Sequence, residues 1–234
     1  MPRKKVDQQE AIAVFLEKAV KQPKAKRITK KSILESAGNE SPGENNARCL
    51  ACGAYKDCAT PFMRSASLET DRLCIVVASP SREDTLRGEH FVGPDGMLFK
   101  KYVLNVLGVG RSKVDFVYAV KCRPDKLAAK HIELCSPFLR QDIERLCPAS
   151  IIVLGLDAAR GLFPSKNLRL KDLLDTVHTY TYGDGQRVAT MVTHSPGNVL
   201  WGQRQVGLSV IVEHVRKFLA GEMLINKCPT IIVL

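Results

Sequence analysis

The chain lacks the long apolar segments and the nucleotide-binding loops that mark several large classes of protein. No apolar run among its 234 residues approaches the roughly 20 residues of a membrane-spanning helix. The basic N-terminus is not followed by the apolar stretch of a signal peptide. GxxxxGKS and GxxxxGKT loops are missing, and no GxGxxG follows the first apolar run. We therefore expect a cytoplasmic protein without a membrane partner or a nucleotide cofactor.

Acidic residues are also in short supply. The chain has 35 Lys and Arg residues against 24 Asp and Glu residues, a formal net charge of +11. Residues 1–31 carry ten basic and three acidic groups, so +7 of this charge lies in the first segment and +4 in the rest. Such an excess suits a polyanionic partner, because each phosphate neutralised by a cation releases bound counterions. Charge therefore favours a nucleic acid partner, with a solubilising tail as the alternative.

Periodicity divides the chain near residue 46. Apolar residues in Val6–Val20 recur at helical spacing, and a basic stretch follows them. Asn39–Asn46 is rich in turn-forming residues and has no periodicity. We predict an N-terminal amphipathic helix, basic arm and linker over residues 1–46, and one domain over residues 47–234.

Strands and helices alternate in the predicted domain. Short apolar runs predict four strands, at Leu73–Ala78, Phe116–Val120, Ser150–Leu154 and Arg187–Val192. Longer periodic segments predict helices at Met97–Leu107, Ile132–Leu146, Ala158–Leu162 and Gln205–Leu219, and Gly183-Asp184-Gly185 predicts a hairpin turn. This alternation is typical of an α/β fold, here three α/β/α layers around a four-stranded, mostly parallel sheet. Ligands of such folds bind beyond the carboxyl ends of the strands.

Eight cysteines in a chain without a secretion signal favour a metal site over a disulfide framework. Cys49 and Cys52 form a CxxC pair, and Cys122 and Cys135 follow the second strand. Four thiolates suit either zinc or an iron–sulfur cluster, and the spacing does not choose between them. Cys58 is an alternative ligand in place of Cys49 or Cys52.

Two polar loops follow strand ends. After the first strand, Glu83 or Asp84 is placed to orient a water molecule and Phe91 to stack on a planar base, with an ordinary solvated loop as the alternative. After the fourth strand, His194 leads into an apolar tip that suits a wedge inserted into a base stack. The alternative is that this tip begins the buried face of the last helix. The residues assigned to DNA contact here are Asn198, Val199, Leu200 and Arg204.

Taken in order, these motifs resemble the iron–sulfur uracil-DNA glycosylases, the family-four branch of a larger superfamily. That family has a CxxC, a GEAPG-type loop after a strand, G-x-P-F-V-G, N-x-x-K-C-R-P-P, a second cysteine, an apolar strand ending in Leu-Gly, and a T-x-H-P loop. The matching stretches here are Pro80–Phe91, Lys121-Cys122-Arg123-Pro124, Cys135, Leu154-Gly155 and Thr193-His194-Ser195. The resemblance covers Arg48–Leu219, and the ordered set is more specific than any single motif.

The resemblance implies a monomeric enzyme that acts on DNA and carries a [4Fe–4S] cluster, with zinc as the alternative. Its ligands would be Cys49, Cys52, Cys122 and Cys135. It also implies that Asp84 stabilises the cation-like sugar and aligns water, and that His194 donates to the departing base. The residues placed around the base are Ser79, Pro80, Phe91 and Tyr118.

Two departures from the family pattern bear on how the site would read a base. Val77-Ala78-Ser79-Pro80-Ser81 replaces Gly-Glu-Ala-Pro-Gly, which removes a carboxylate, and Tyr118 replaces the asparagine that reads the edge of uracil. A site that loses such a paired polar group no longer distinguishes uracil from cytosine well. Three functions follow in order: a glycosylase rebuilt for a modified base, such as those of some phage genomes, acting in genome defence; a catalytically silent DNA-binding or replication-associated relative; and plain uracil repair.

Overall fold

The computed structural model describes residues 41–65, 72–110, 113–163, 165, 167–200 and 207–225. The predicted helix at Val6–Val20 and the basic segment lie outside these residues, so the division near residue 46 stays a prediction. Of the helices in the described ranges, none combines the length and apolar character needed to cross a membrane.

A mixed sheet forms the centre of the described structure. Its strands are β1 (Leu73–Val77), β2 (Val114–Tyr118), β3 (Ser150–Leu154), β4 (Thr176–Thr181), β5 (Arg187–Thr193) and β6 (Leu224–Ile225). They are ordered β2-β1-β3-β5-β4-β6. The first four in this order run parallel, which confirms the four predicted strands. β4 pairs antiparallel with β5 and parallel with β6.

Helices cover both faces of the sheet. They are α1 (Ala47–Cys52), α2 (Arg82–Arg87), α3 (Pro94–Phe99, continued by a π-helical turn at Lys100–Leu104), α4 (Ala129–Leu146), α5 (Leu156–Leu162), α6 (Leu170–Leu173), α7 (Pro196–Leu200) and α8 (Leu208–Leu219). α4 and α5 pack on one face, through residues such as Leu139 and Ala158. α3 and α8 pack on the other, through Phe99 and Ile211. Burying each large apolar side chain stabilises the folded state by about 1.5–3 kcal/mol. Helices on both faces of the sheet confirm the predicted three-layer architecture.

Two strands and several short helices lie outside the predicted set. β4 (TVHTYT) alternates buried with partly exposed residues and has no continuous apolar run. It joins β5 through the predicted turn, where the N–H of Gly185 donates to the carbonyl of Tyr182. α2 forms within the loop predicted after β1, because Ser81 caps its start and Gly88, with a left-handed φ of 66°, ends it.

Candidate active site

The carboxyl ends of β1, β3 and β5 meet at one edge of the sheet. Gly155 follows β3, and a Cβ added to it would lie 3.1 Å from the Cβ of Ser195, in the loop after β5. A Cβ added to Gly197 would lie 2.6 Å from Oδ2 of Asp95, in the first turn of α3. The loop after β5 therefore packs between the end of β3 and the segment that follows Phe91.

The chain between β1 and α2 is short and well ordered by hydrogen bonds. Ser79 is half-buried and Pro80 is buried. Ser81 then caps α2: its Oγ accepts from the N–H of Asp84 at 3.1 Å, which completes a capping box. Gly93 packs directly on this cap, since an added Cβ would lie 2.4 Å from the Ser81 Oγ. Ser79 and Pro80 thus begin a fixed loop, and their contact with a base stays a prediction.

Asp84 is 1% exposed and accepts hydrogen bonds at both carboxylate oxygens. Oδ1 accepts from the main-chain N–H groups of Val92 (2.7 Å) and Gly93 (3.0 Å). Oδ2 accepts from the N–H of Ser81 (2.9 Å) and the hydroxyl of Tyr118 (2.8 Å). Burial alone would raise the pKa of Asp84, but these bonds outweigh it and hold the pKa below its ordinary value. The contacts anchor the loop; the catalytic role, which needs an oxygen turned towards the sugar, stays a prediction.

Tyr118 ends β2 and is fully buried, and its hydroxyl is used twice. The hydroxyl donates to Asp84 and accepts from the N–H of Phe91 at 2.8 Å. The Tyr118 ring stacks on the ring of His90, with centroids 5.3 Å apart and planes at 15°. Burial, with the Asp84 carboxylate adding to it, raises the pKa of Tyr118 and keeps the hydroxyl protonated. Because that one proton is held by Asp84, the hydroxyl has none left to donate to a base; base binding by Tyr118 stays a prediction.

Phe91 sits in a left-handed backbone conformation with φ 57°. Such conformations are uncommon for residues other than glycine, and they cluster at functional sites. The Phe91 ring is 3% exposed and packs against Phe116 at 4.9 Å and Phe99 at 5.9 Å between centroids. On its other side Gly96 is required, because an added Cβ would lie 2.0 Å from the Phe91 carbonyl oxygen. The position of Phe91 is therefore closely fixed, and its stacking on a base stays a prediction.

His194 follows directly on β5 and is half-buried. Its ring lies 6.2 Å from that of His214, with planes at 23°. Burial and the neighbouring His214 lower the pKa of His194, so its ring is neutral at neutral pH and carries one N–H donor. His214 is itself held by Thr193 Oγ1 at 2.8 Å and Asp175 Oδ1 at 3.1 Å. This arrangement suits His194 to donating a hydrogen bond at the sheet edge.

The residues assigned to DNA contact lie on α7. Asn198 is exposed and Leu200 is 39% exposed, whereas Val199 packs partly against the core. α7 is a short helix of its own, separate from α8. Arg204 lies outside the described residues.

The four cysteines predicted as ligands line one cavity. Cys49 and Cys52 come from α1, Cys122 follows β2, and Cys135 lies on α4. Most of the remaining lining is apolar, as at Phe62, Leu134 and Phe138, and Arg48 and Lys121 also contribute to it. In the described part of the chain, no set of three His, Cys, Asp or Glu side chains is arranged to hold a metal ion.

The chemistry around the sulfurs bears on what this cavity would hold. Cys122 Sγ accepts from the N–H of Phe62 at 3.4 Å, and Cys135 Sγ from that of Lys121 at 3.3 Å. Hydrogen bonds of this kind to sulfur tune iron–sulfur clusters. Burial raises the pKa of Cys122 to about 12 and that of Cys135 to about 11, the latter despite the neighbouring charge of Lys121. Four thiols at one cavity are the donor type that a four-thiolate cluster takes, but in the described residues they are not arranged around a metal position.

Cys58, the alternative ligand, is not part of the cavity lining. Its thiol donates to the carbonyl of Thr60 at 3.2 Å, and its sulfur accepts from the N–H of Arg123 at 3.4 Å. These contacts hold it against the loop that carries Cys122.

A buried charge cluster next to the cysteines was not predicted. Lys121 Nζ lies 2.6 Å from Asp142 Oδ2 and donates to the carbonyl of Tyr118 at 2.6 Å. Arg64 Nε lies 2.7 Å from Asp142 Oδ1. Burial alone would raise the pKa of Asp142, but Lys121 and Arg64 outweigh it and lower the pKa. The signal in the sequence is a carboxylate on the apolar face of α4, two helical turns after Cys135.

The sequence is similar to proteins of one known superfamily. The family model of the uracil DNA glycosylase superfamily matches residues 66–222, which is 157 of 234 residues. The type-4 uracil-DNA glycosylase of Saccharolobus solfataricus is 32% identical over 54% of this chain and 59% of its own length. That of Pyrobaculum aerophilum is 34% identical, over 54% and 66%, and that of Archaeoglobus fulgidus 26%, over 65% and 78%. The chain thus spans less than two thirds of the length of the Saccharolobus and Pyrobaculum enzymes. The family match includes β1 to β5 and every loop at the candidate site, and the chain belongs to the uracil-DNA glycosylase superfamily.

Proposed function

We propose that the chain is a DNA N-glycosylase, which extrudes one base from DNA and hydrolyses the bond between that base and deoxyribose. The observation that carries this proposal is the meeting of the loops at the carboxyl ends of β3 and β5 with the segment after Phe91, where Gly155 packs on Ser195 and Gly197 on Asp95. The relatives' name, type-4 uracil-DNA glycosylase, supports the same class of reaction. Extrusion is needed because the glycosidic bond of a stacked base is out of reach.

The proposed mechanism assigns the chemistry to the segment that follows β5. When the glycosidic bond breaks, its electron pair leaves with the base and the sugar becomes cation-like. His194 donates a hydrogen bond to the departing base and stabilises its negative charge. Water then adds to the sugar carbon and loses a proton to solvent. The exposed residues Asn198 and Leu200 on α7 occupy the gap left in the stack.

We further propose that the substrate is a modified base rather than plain uracil. Tyr118 stands where the resembling family has its asparagine, and its only proton is committed to Asp84. A site that offers no paired donor to the edge of uracil loses discrimination for uracil. Small residues at Ala78 and Ser79 suit a larger substituent, as carried by the modified bases of some phage genomes. Genome defence is the corresponding biological role.

A catalytically silent DNA-binding relative is the second candidate. Ala78 removes one carboxylate of the resembling family, and Asp84 has both oxygens engaged within its own loop. Plain uracil repair ranks third.

Duplexes that carry different bases separate these candidates. The full-length protein is incubated with DNA containing uracil, hypoxanthine, hydroxymethylated cytosine or glucosylated hydroxymethylcytosine, and alkali-labile sites are counted. We expect cleavage at a modified base. Cleavage of uracil alone would contradict the modified-base proposal, and binding without cleavage of any duplex would favour the silent relative.

We propose that Cys49, Cys52, Cys122 and Cys135 hold a [4Fe–4S] cluster, with zinc as the alternative. Such a cluster, when bound, cross-links α1, α4 and the end of β2, which otherwise meet across the cavity. The support is the convergence of these four residues, and only these cysteines, on one apolar cavity within the described residues.

Cysteine variants test the ligand set. We expect Cys122→Ser to lose the iron and the visible absorption of the purified protein, because serine replaces one thiolate of four. Cys58→Ser is the matched control and is expected to keep both, since Cys58 lies outside the cavity. The measurement is iron and zinc per chain together with the absorption spectrum. Loss of iron in Cys58→Ser would make Cys58 a ligand, and stoichiometric zinc in the colourless wild-type protein would replace the cluster by zinc.

A further inference from the structure

We infer that Asp84 and Tyr118 act as a positioning pair, which sets the place of Phe91, the residue proposed to stack on the extruded base. The inference rests on the proposed glycosylase function and deepens it.

The contacts of the pair reach every main-chain N–H from Phe91 to Gly93. The N–H of Phe91 donates to the Tyr118 hydroxyl, and those of Val92 and Gly93 donate to Asp84 Oδ1. The Tyr118 hydroxyl in turn donates to Asp84 Oδ2. Three consecutive N–H groups are thus held by two side chains that hold each other, so neither side chain can move without releasing the segment.

The held segment is the strained one. Phe91 keeps a left-handed φ of 57°, a conformation that persists only where the surroundings over-determine it. The pair supplies that constraint from one side, and the close approach of Gly96 supplies it from the other. Without the pair, the backbone is expected to relax and to carry the Phe91 ring away from its place between Phe99 and Phe116.

Two departures from the motifs of the resembling family meet at this pair. Tyr118 replaces the asparagine of N-x-x-K-C-R-P-P, and His90 replaces the proline of G-x-P-F-V-G. The two rings stack with planes at 15°. His90 therefore covers the ring of Tyr118, while Asp84 and Phe91 use its hydroxyl. Tyr118 and His90 therefore hold the loop, and the Tyr118 hydroxyl has no proton available to donate to a base.

Amide hydrogen exchange in the full-length holoprotein tests the pair directly. In Tyr118→Phe, the Phe91 amide loses its acceptor, and its exchange is expected to accelerate roughly 2- to 10-fold, as the loss of one hydrogen bond predicts. In Asp84→Asn, the amide has a single accepting oxygen, so either the N–H of Ser81 or those of Val92 and Gly93 lose their acceptor and are expected to exchange faster. Glu89→Gln, an exposed carboxylate of the same loop, is the matched control and should leave these rates unchanged. Amides of β3 such as that of Ile152 should keep wild-type rates in all variants, which separates a local effect from general destabilisation.

Excision rates then separate positioning from direct catalysis. On the base that the wild type removes, we expect kcat to fall in both variants together with the protection of Phe91. Unchanged exchange at Phe91 in Tyr118→Phe would overturn the inference. So would an Asp84→Asn protein that loses excision while the Ser81, Phe91, Val92 and Gly93 amides all keep their wild-type exchange rates, since that result marks Asp84 as a catalytic residue. If the wild type removes no base, the proposed function fails, but the exchange rates still decide whether the pair holds Phe91.

Discussion

Replacing Asp142 with asparagine is expected to lower the free energy of unfolding by about 3–5 kcal/mol. The substitution keeps the size of the side chain but leaves Lys121 buried without its counter-ion, 2.6 Å from a neutral amide. Breaking one partner of a buried ion pair costs this much because the remaining charge is uncompensated. Urea unfolding of wild type and variant measures the difference.

The exposed pair of Arg160 and Asp157 provides the control. Its charged atoms lie 2.9 Å apart, but both side chains are more than 40% exposed. Exposed pairs contribute about 0–1 kcal/mol, so Asp157→Asn should unfold close to wild type. A loss below 1 kcal/mol in Asp142→Asn would contradict the role of the buried cluster.

The buried pair of Asp142 and Lys121 also determines how stability changes at acidic pH. The folded pKa of Asp142 lies below its ordinary value, so its contribution is fully present above the unfolded pKa, about 3.9. It is lost as the pH falls through the folded pKa. Asp142→Asn should therefore lose less stability than wild type on acidification over this range.

Replacing His194 with alanine is expected to lower kcat for base excision by about 10²–10⁴-fold. His194 is the neutral donor at the end of β5, and alanine leaves the departing base without that hydrogen bond. The expected loss falls on kcat rather than on DNA affinity, because the negative charge on the base develops only as the bond breaks. Single-turnover kinetics with a matched binding titration measure both.

Glutamine at position 194 separates the loss of the hydrogen-bond donor from the loss of side-chain volume. His194→Gln keeps a side-chain N–H and should retain more activity than His194→Ala. Equal and complete loss in both variants would point to proton transfer by the ring. Wild-type turnover in His194→Ala would remove His194 from the proposed mechanism.

The central fold was predictable because buried parallel strands are continuous apolar runs. The run SIIVL coincides with β3 (Ser150–Leu154), and the other three parallel strands lie within two residues of their predicted ends. β4 was missed because it packs one face only and alternates polar Thr with His, Val and Tyr. Its place depends on the hairpin with β5, which is a tertiary contact.

The candidate site was predictable as a set of loops but not as a set of roles. Asp84 and Tyr118 are adjacent in space and 34 positions apart in the chain. Only their contact shows that the carboxylate holds Phe91, Val92 and Gly93. The partner of Lys121 was not predicted for the same reason, because Asp142 reaches it from α4, 21 positions further along the chain.

Mass spectrometry of the reaction products tests the central claim most directly. A duplex with one glucosylated hydroxymethylcytosine is incubated with the full-length protein, and the strand and the small-molecule fraction are both weighed. We predict the intact modified base as a free molecule, together with a strand that carries one abasic deoxyribose. A strand of unchanged mass and no free base, from this duplex and from its uracil and hypoxanthine counterparts, would contradict the assignment as a DNA N-glycosylase.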